Sequence, residues 1–357
     1  MAEAVVIVGA RRARERVLAH ELAQMAGRAG RTHESKTADV HLIVSDEDLA
    51  FAADAVEYGG DWDVVSHLDE VHEFAFHVLP DIVSGSVKTL DDLQEWYRQT
   101  FAAFTGCSLP MSDVYQFLDE CMMVRGDESS FEATQLAEVA TGYYFRPEDV
   151  CAWCENFGEV FSKEAQDNDM AIVWALANTP SQNCVHGYIS VQELANECLS
   201  SVRGYGFIAD DELVFPMMVW WKMLDGPSLP EVRPFAKQWK RDYGRLHKVL
   251  TTLNTVMKWE EEDFFEELNV RISYVIPKEL AFLCALDGIG KTHAAALYNV
   301  GVRTIQDLVS KSDEIEAIAD HTLIMAVQRA IQDAIRGQSS SKLRQSDAEQ
   351  NHIKAAR

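Results

Sequence analysis

Apolar positions change their period along this chain, and the change predicts two kinds of structure. Near the N-terminus Val5, Val6, Ile7 and Val8 form a short continuous apolar run. Helical spacing follows from about Glu15 to Met25, and a second apolar run covers Val40 to Val44. Strand, helix and strand in that order predict a small α/β element. A polar break at about Tyr58 to Asp63 ends it, and apolar residues then recur mostly at intervals of three and four. The stretch from His77 to Leu93 predicts a helix, a turn and a capped second helix, continued by Trp96 to Phe104. Short runs nearby are candidates for the wing of a winged helix. Residues 132–147 open a series of amphipathic helices that reaches about Ile276, and the tail from Gly337, rich in Ser, Gln and Lys, is expected to be disordered. The pattern as a whole predicts a mainly α protein.

Length and composition allow two to four domains with ample cores, at 357 residues and 47% hydrophobic content. No apolar run approaches the roughly 18 residues of a membrane span, and the start of the chain lacks the apolar region of a signal peptide. No membrane association and a cytoplasmic location, nucleoid-associated or in a viral replication compartment, are the expectations. Seven scattered cysteines suit reduced thiols rather than a disulfide framework. Cys151 and Cys154 are spaced like half of a zinc site, but no second pair follows at ligand spacing, and two small residues on one helical face explain them better; no metal is expected.

A net charge of −25 argues against nucleic-acid binding until its distribution is considered. From Arg233 to Lys248 the chain carries Arg233, Lys237, Lys240, Arg241, Arg245 and Lys248 against the single acid Asp242. Their spacing places most of them along one side of a helix that Pro234 would start, with Trp239 and Tyr243 interleaved. This is the best electrostatic track for a strand; a solvated face with aromatics turned to the core is the alternative. The opposite charge gathers at Glu260, Glu261, Glu262, Asp263, Glu266 and Glu267.

Three short motifs carry candidate chemistry. Gln24 to Arg31 reads Gln-Met-Ala-Gly-Arg-Ala-Gly-Arg. Arg28 and Arg31 would be cationic donors to a transferring phosphoryl group, a contribution worth roughly three to five orders of magnitude in rate where an arginine finger acts. Gly27 and Gly30 would permit close backbone approach, and Gln24 would orient water or contact phosphate. Ala285 to Thr292 satisfies a permissive P-loop pattern but follows helical rather than strand spacing, as does the Asp69-Glu70-Val71-His72 box. The better reading of the former is a helix-hairpin-helix: a tight turn over Leu286 to Lys291, a second helix from His293 to Val300 and a further turn and helix over Gly301 to Leu308. Amides of Gly288 and Gly290, with Lys291, would then hold a backbone phosphate.

Taken in order, these segments resemble the C-terminal part of a Ski-like superfamily 2 DExH helicase, of the ratchet type found in archaeal repair helicases and in the helicase portion of polymerase theta. The resemblance runs from about Ala2 to Arg336. It implies part of a second RecA-like lobe at 1–62, a winged-helix domain at 63–130, a helical ratchet domain at 131–276 and a helix-hairpin-helix domain at 277–336, with the tail at 337–357. It assigns nucleotide contact and catalysis to Gln24, Arg28 and Arg31. Nucleic-acid contact falls to Lys237, Lys240, Arg241, Arg245, Trp220, Trp221, Gly288, Gly290 and Lys291. Trp220 to Leu229 matches a ratchet segment, although the family's base-stacking tryptophan aligns nearest to Met223 and no arginine lies one or two turns upstream. With no P-loop in strand context and no D-E-x-H box ahead of the arginines, the chain alone is not expected to hydrolyse ATP. ATP and Mg²⁺ would be shared with a partner carrying the first RecA-like lobe, for 3′ to 5′ movement on nucleic acid, with DNA favoured over RNA. The alternative is a non-catalytic adaptor binding nucleic acid and proteins within a larger replication, repair or transcription complex.

Overall fold

A computed structural model describes residues 4–12, 15–17, 19–29, 39–57, 66–334 and 336, with the chain dividing into two compact units between His67 and Leu68. In the first unit the two apolar runs become β1 (Ala4–Val8) and, after the short strands β2 (Arg11–Arg12) and β3 (Glu15–Arg16), β4 (Asp39–Ile43). β1 and β4 pair in parallel from Ala4 opposite Asp39 to Val8 opposite Ile43, while β2 and β3 form a minimal antiparallel pair. Helices α1 (Ala19–Ala26) and α2 (Asp46–Glu57) complete it, around a small core of Ile7, Ala10, Val17 and Leu22.

The helix expected from Glu15 starts only at Ala19, because Glu15 and Arg16 are spent on β3. A distant acid explains the difference. Asp48, 3% exposed, accepts from Arg11 Nε and Nη2 at 2.7 and 2.9 Å, from Arg16 Nε at 2.9 Å and from the Ser45 hydroxyl at 3.2 Å. Two guanidiniums fixed on one carboxylate hold the β2 and β3 backbone extended.

The second unit is helical apart from one hairpin. It opens with α3 (Val71–Val83), α4 (Leu90–Arg98), α5 (Phe101–Phe104) and α6 (Met111–Glu120), followed by β5 (Val124–Asp127) and β6 (Ser130–Ala133). Thr89 and Asp92 form a reciprocal capping box that starts α4, as the Thr-Leu-Asp-Asp pattern anticipates. Next to the turn, Gly126 of β5 has φ +127°, and an added Cβ there would meet the Ser130 carbonyl at 2.3 Å.

Next come α7 (Gln135–Tyr143), α8 (Pro147–Ser162), α9 (Asp169–Ala177), α10 (Pro180–Asn183), α11 (Gln192–Gly204), α12 (Val214–Met223), α13 (Arg233–Met257) and α14 (Glu262–Tyr274). Pro147 and Pro234 sit in the first turns of α8 and α13, where a missing N–H costs nothing. α9 and α12 are apolar on every side and pack together at the centre, as helices without a polar face must. One hydrophobic cluster runs from Phe74 to Ile272.

A second cluster, from Ile276 to Ala330, belongs to α15 (Ala281–Cys284), α16 (Lys291–Asn299), α17 (Ile305–Ser310), α18 (Ser312–Ile318) and α19, which covers residues 321–334. Helix α15, not a strand, precedes the P-loop-like segment. Gly288 makes the turn with φ +83° and lies against Ala326 of α19, while Ile289 is buried beneath it. The Asp69–His72 box likewise straddles a short 3₁₀ turn and the start of α3, and the His72 ring packs against Phe117. The expected disordered tail, residues 337–357, lies outside the described residues, and no helix among them is long and apolar enough to cross a membrane.

Candidate nucleic-acid interface

The 25 residues of α13 make it about 37 Å long, the longest helix of the described residues. Its buried residues Ala236, Tyr243, Leu246, Val249, Leu250 and Leu253 face α7, α8, α12 and α14. The six cations from Arg233 to Lys248 are all exposed. At 100° per residue they fall within an arc of about 140°. Gly244 lies within that arc, with nothing within 4 Å of where a Cβ would be. Toward the C-terminal end Thr251, Thr252 and Thr255 continue the same face. A phosphate backbone could lie close to the helix at Gly244, between charges on either side and hydroxyls beyond.

Most of these cations are free to meet an anion. Among the described residues no carboxylate lies within ion-pair distance of Lys237, Lys240, Arg241 or Lys248. Arg233 donates to the Ser228 hydroxyl at 3.0 Å, and the Arg245 guanidinium stands over the Phe145 ring at 4.6 Å. The aromatics between them turn inward: Tyr243 is 3% exposed, its hydroxyl pushed up by burial, and Trp239 is half-buried against Trp220.

The two tryptophans of α12 are placed differently from what base stacking asks. Trp220 is 2% exposed, its indole N–H held by Gln182 Oε1 at 2.6 Å, so its ring borders side chains and an inner cavity rather than the outer helix surface. Met223 is equally buried. Trp221 is half-buried, its ring lying across Gly226 so closely that a Cβ there would sit 2.4 Å from Cδ1. The cause is the all-apolar character of α12, which draws the helix into the core.

At the hairpin, Gly290 stands just before α16, and Lys291 is its first residue. The Lys291 ammonium is already engaged, with Asp225 at 2.8 Å and the Val275 carbonyl at 2.5 Å. It clamps the two hydrophobic clusters together, so a phosphate at the hairpin would have to compete with an internal ion pair.

In the first unit Gln24 on α1 and Arg28 just past its end are both exposed and line one open groove of about 630 Å³ with Gly9, Arg11 and Glu21. Arg31 and Gly30 lie outside the described residues.

Cys151 and Cys154 are buried on α8, and burial pushes the Cys154 thiol up to about 11. Among the described residues no three His, Cys, Asp or Glu side chains converge as a metal site.

Sequence reasoning missed two features. The threonine extension of the basic face carries no charge to signal it. A cavity of about 230 Å³ beside Arg245, lined by Trp153 and Asp149 of α8 with Trp220 and Trp239, draws on segments nearly 100 residues apart.

No protein-family profile matches the chain. Several curated proteins are similar to it, each named ATP-dependent DNA helicase Hel308. That of Thermococcus kodakarensis is 23% identical over 321 residues, covering 81% of this chain and 28% of the relative. The Thermoplasma acidophilum protein is 26% identical, covering 84% and 44%, and the Caldivirga maquilingensis protein 22% identical, covering 87% and 46%. The chain thus spans less than half the length of these relatives. The similarity covers 81–87% of this chain, as the C-terminal part of a Ski-like superfamily 2 helicase would give.

Proposed function

We propose that this chain guides a single nucleic-acid strand, DNA in preference to RNA, along α13 and supplies Gln24, Arg28 and Arg31 to a nucleotide-binding lobe on a partner polypeptide. ATP and Mg²⁺ would be held between the two, and together they would move 3′ to 5′. The observation that carries the reading is the exposed cationic arc of α13 with a glycine within it, in a chain whose net charge is −25. So concentrated a stripe in so acidic a protein suits an anionic partner. The name of the relatives, ATP-dependent DNA helicase, supports a helicase role and the preference for DNA. Support for a partner lobe comes from β1, where Val6 and Val8 are 57% and 77% exposed on a parallel pair, an arrangement that ordinarily has both faces covered.

A second reading, a non-catalytic adaptor, is favoured by the buried Trp220 and the internally paired Lys291, which leave α13 to do the binding.

Six cations on a single strand imply a log–log salt slope of about −4. Replacing Lys237, Lys240, Arg241 and Arg245 with Gln should bring it to about −1 and weaken binding to any sequence alike. Fluorescence anisotropy of a labelled single strand over a salt series measures this, and an unchanged slope removes α13 from the interface. If a nucleotide-binding partner is recovered, loss of strand-stimulated ATPase on replacing Arg28 and Arg31 with Ala supports the split motor. Retention leaves the adaptor.

A further inference from the structure

The cavity beside α13 has the wrong lining for a packing defect. Its walls are aromatic, with Phe145 and Trp153 edge to face at 5.1 Å and Trp220 tilted against Trp239 at 5.3 Å. Polar groups sit among them. Asp149 is 5% exposed and its Oδ1 accepts the Ser181 amide at 3.0 Å. Gln182 spends its oxygen on the Trp220 indole, which leaves its amide nitrogen as a donor. Tyr243 also lines the cavity, 97% buried by its 3% exposure, and its hydroxyl has no hydrogen-bond partner among the described residues. A dry packing void would carry none of these, and buried polar groups in folded proteins nearly always find partners.

Size and position narrow the occupant. Sites for drug-sized ligands run to about 300–1,000 Å³, so about 230 Å³ suits one flat ring system and not a whole nucleotide. Arg245 stands at the rim, over Phe145, and is also a member of the cationic face. A strand that set a phosphate on Arg245 would bring the attached base to the opening, with Asp242 the acid on that rim.

We propose that this cavity takes a single unstacked nucleobase from a strand lying along α13, with Asp149 and Gln182 reading its hydrogen-bonding edge. The proposal rests on the strand-guiding reading of α13. Single-stranded recognition commonly works this way, by splaying a base onto aromatic side chains and bonding its Watson–Crick edge. The Asp149 carboxylate selects among bases. Cytosine, adenine and guanine carry an amino group that donates to it, whereas thymine presents an imide flanked by two carbonyl oxygens that the carboxylate repels.

The test uses the full chain and dodecamers of deoxycytidine and of thymidine, two pyrimidine strands that differ at this edge. The deoxycytidine strand should bind about fivefold tighter, the yield of roughly one good hydrogen bond. Asp149→Asn replaces the repelling carboxylate with an amide that can donate to a thymine carbonyl, so it should reduce the preference below about twofold, chiefly by raising thymidine affinity. A second measurement avoids any variant: 2-aminopurine placed in a thymidine strand should lose fluorescence on binding as it stacks in the cavity. Salt-dependent binding with equal affinities and undiminished 2-aminopurine emission overturns the cavity and spares α13. Absence of binding to either strand removes both. Tryptophan quenching by choline that no oligonucleotide relieves would make the cavity a cage for a cation and overturn the proposal.

Discussion

At the scale of single residues, two charges hold structure that neutral neighbours could not. Asp48 keeps Arg11 and Arg16 together, and the Arg11 hydrogen bond leads the causes that hold its carboxyl at about 2, against an ordinary 3.8. A depressed carboxylate contributes stability above its unfolded pKa and loses it as pH falls through the folded one. The first unit should therefore weaken as pH drops from 3.8 to about 2. Asp48→Asn should lower its melting temperature at about pH 6, and the gap should close by about pH 2. Thermal melts read at the β1 and β4 amides by NMR measure this, and a gap independent of pH contradicts it. Arg271 is the second case, 1% exposed on α14 and paired with Asp169 of α9 at 2.8 Å. Asp169→Ala strands a buried cation and should cost about 2 kcal/mol, less than a fully buried pair because Asp169 is partly exposed. Arg271→Met should cost less than that, and urea midpoints decide the order.

At the scale of elements, α13 shows a conflict between propensity and position. Glycine at an exposed helix interior costs about 1 kcal/mol relative to alanine, and nothing in the fold occupies the space a Cβ would take at Gly244. Gly244→Ala should stabilise the chain by about 0.5–1 kcal/mol in urea denaturation. The same change should weaken strand binding several-fold, and a stabilised protein with unaltered binding would show that no phosphate approaches there. How far elements are legible in the sequence depends on what sets their limits. The start of α13 was visible because Pro234 and the spacing of Arg233 to Lys248 are local signals. The start of α1 was not, because Arg16 answers to Asp48, 32 residues away. For α12, the absence of any polar face already implied burial, and the resemblance to a base-stacking segment pulled the reading of Trp220 the other way.

At the scale of the whole molecule, the units differ in what they can sustain. The second holds a continuous core from Phe74 to Ile272 with a smaller cluster after it, enough to fold by itself. The first, among the described residues, relies on a cluster of four buried apolar residues beside a two-stranded parallel pair. A fragment of residues 68–336 should unfold cooperatively and keep the salt-dependent strand binding of the full chain. A fragment of residues 1–67 should show little cooperative structure unless a partner covers β1. Circular dichroism melts of the two fragments test this, and an unfolded larger fragment would mean that its core depends on the first unit.

Local order in the chain was enough to establish the mainly helical class, the strand–helix–strand start, the basic stripe and the resemblance to the C-terminal part of a Ski-like superfamily 2 helicase. Each of these is written in residues near one another, as period, cap or motif. Burial and pairing are not. That Trp220 faces the core, that Lys291 is taken by Asp225, and that Asp149, Gln182 and Trp239 enclose one cavity follow from packing segments tens of residues apart. Only the tertiary structure decides these, because a side chain's solvent and partners are set by which helices close over it, and spacing along the chain carries no record of that.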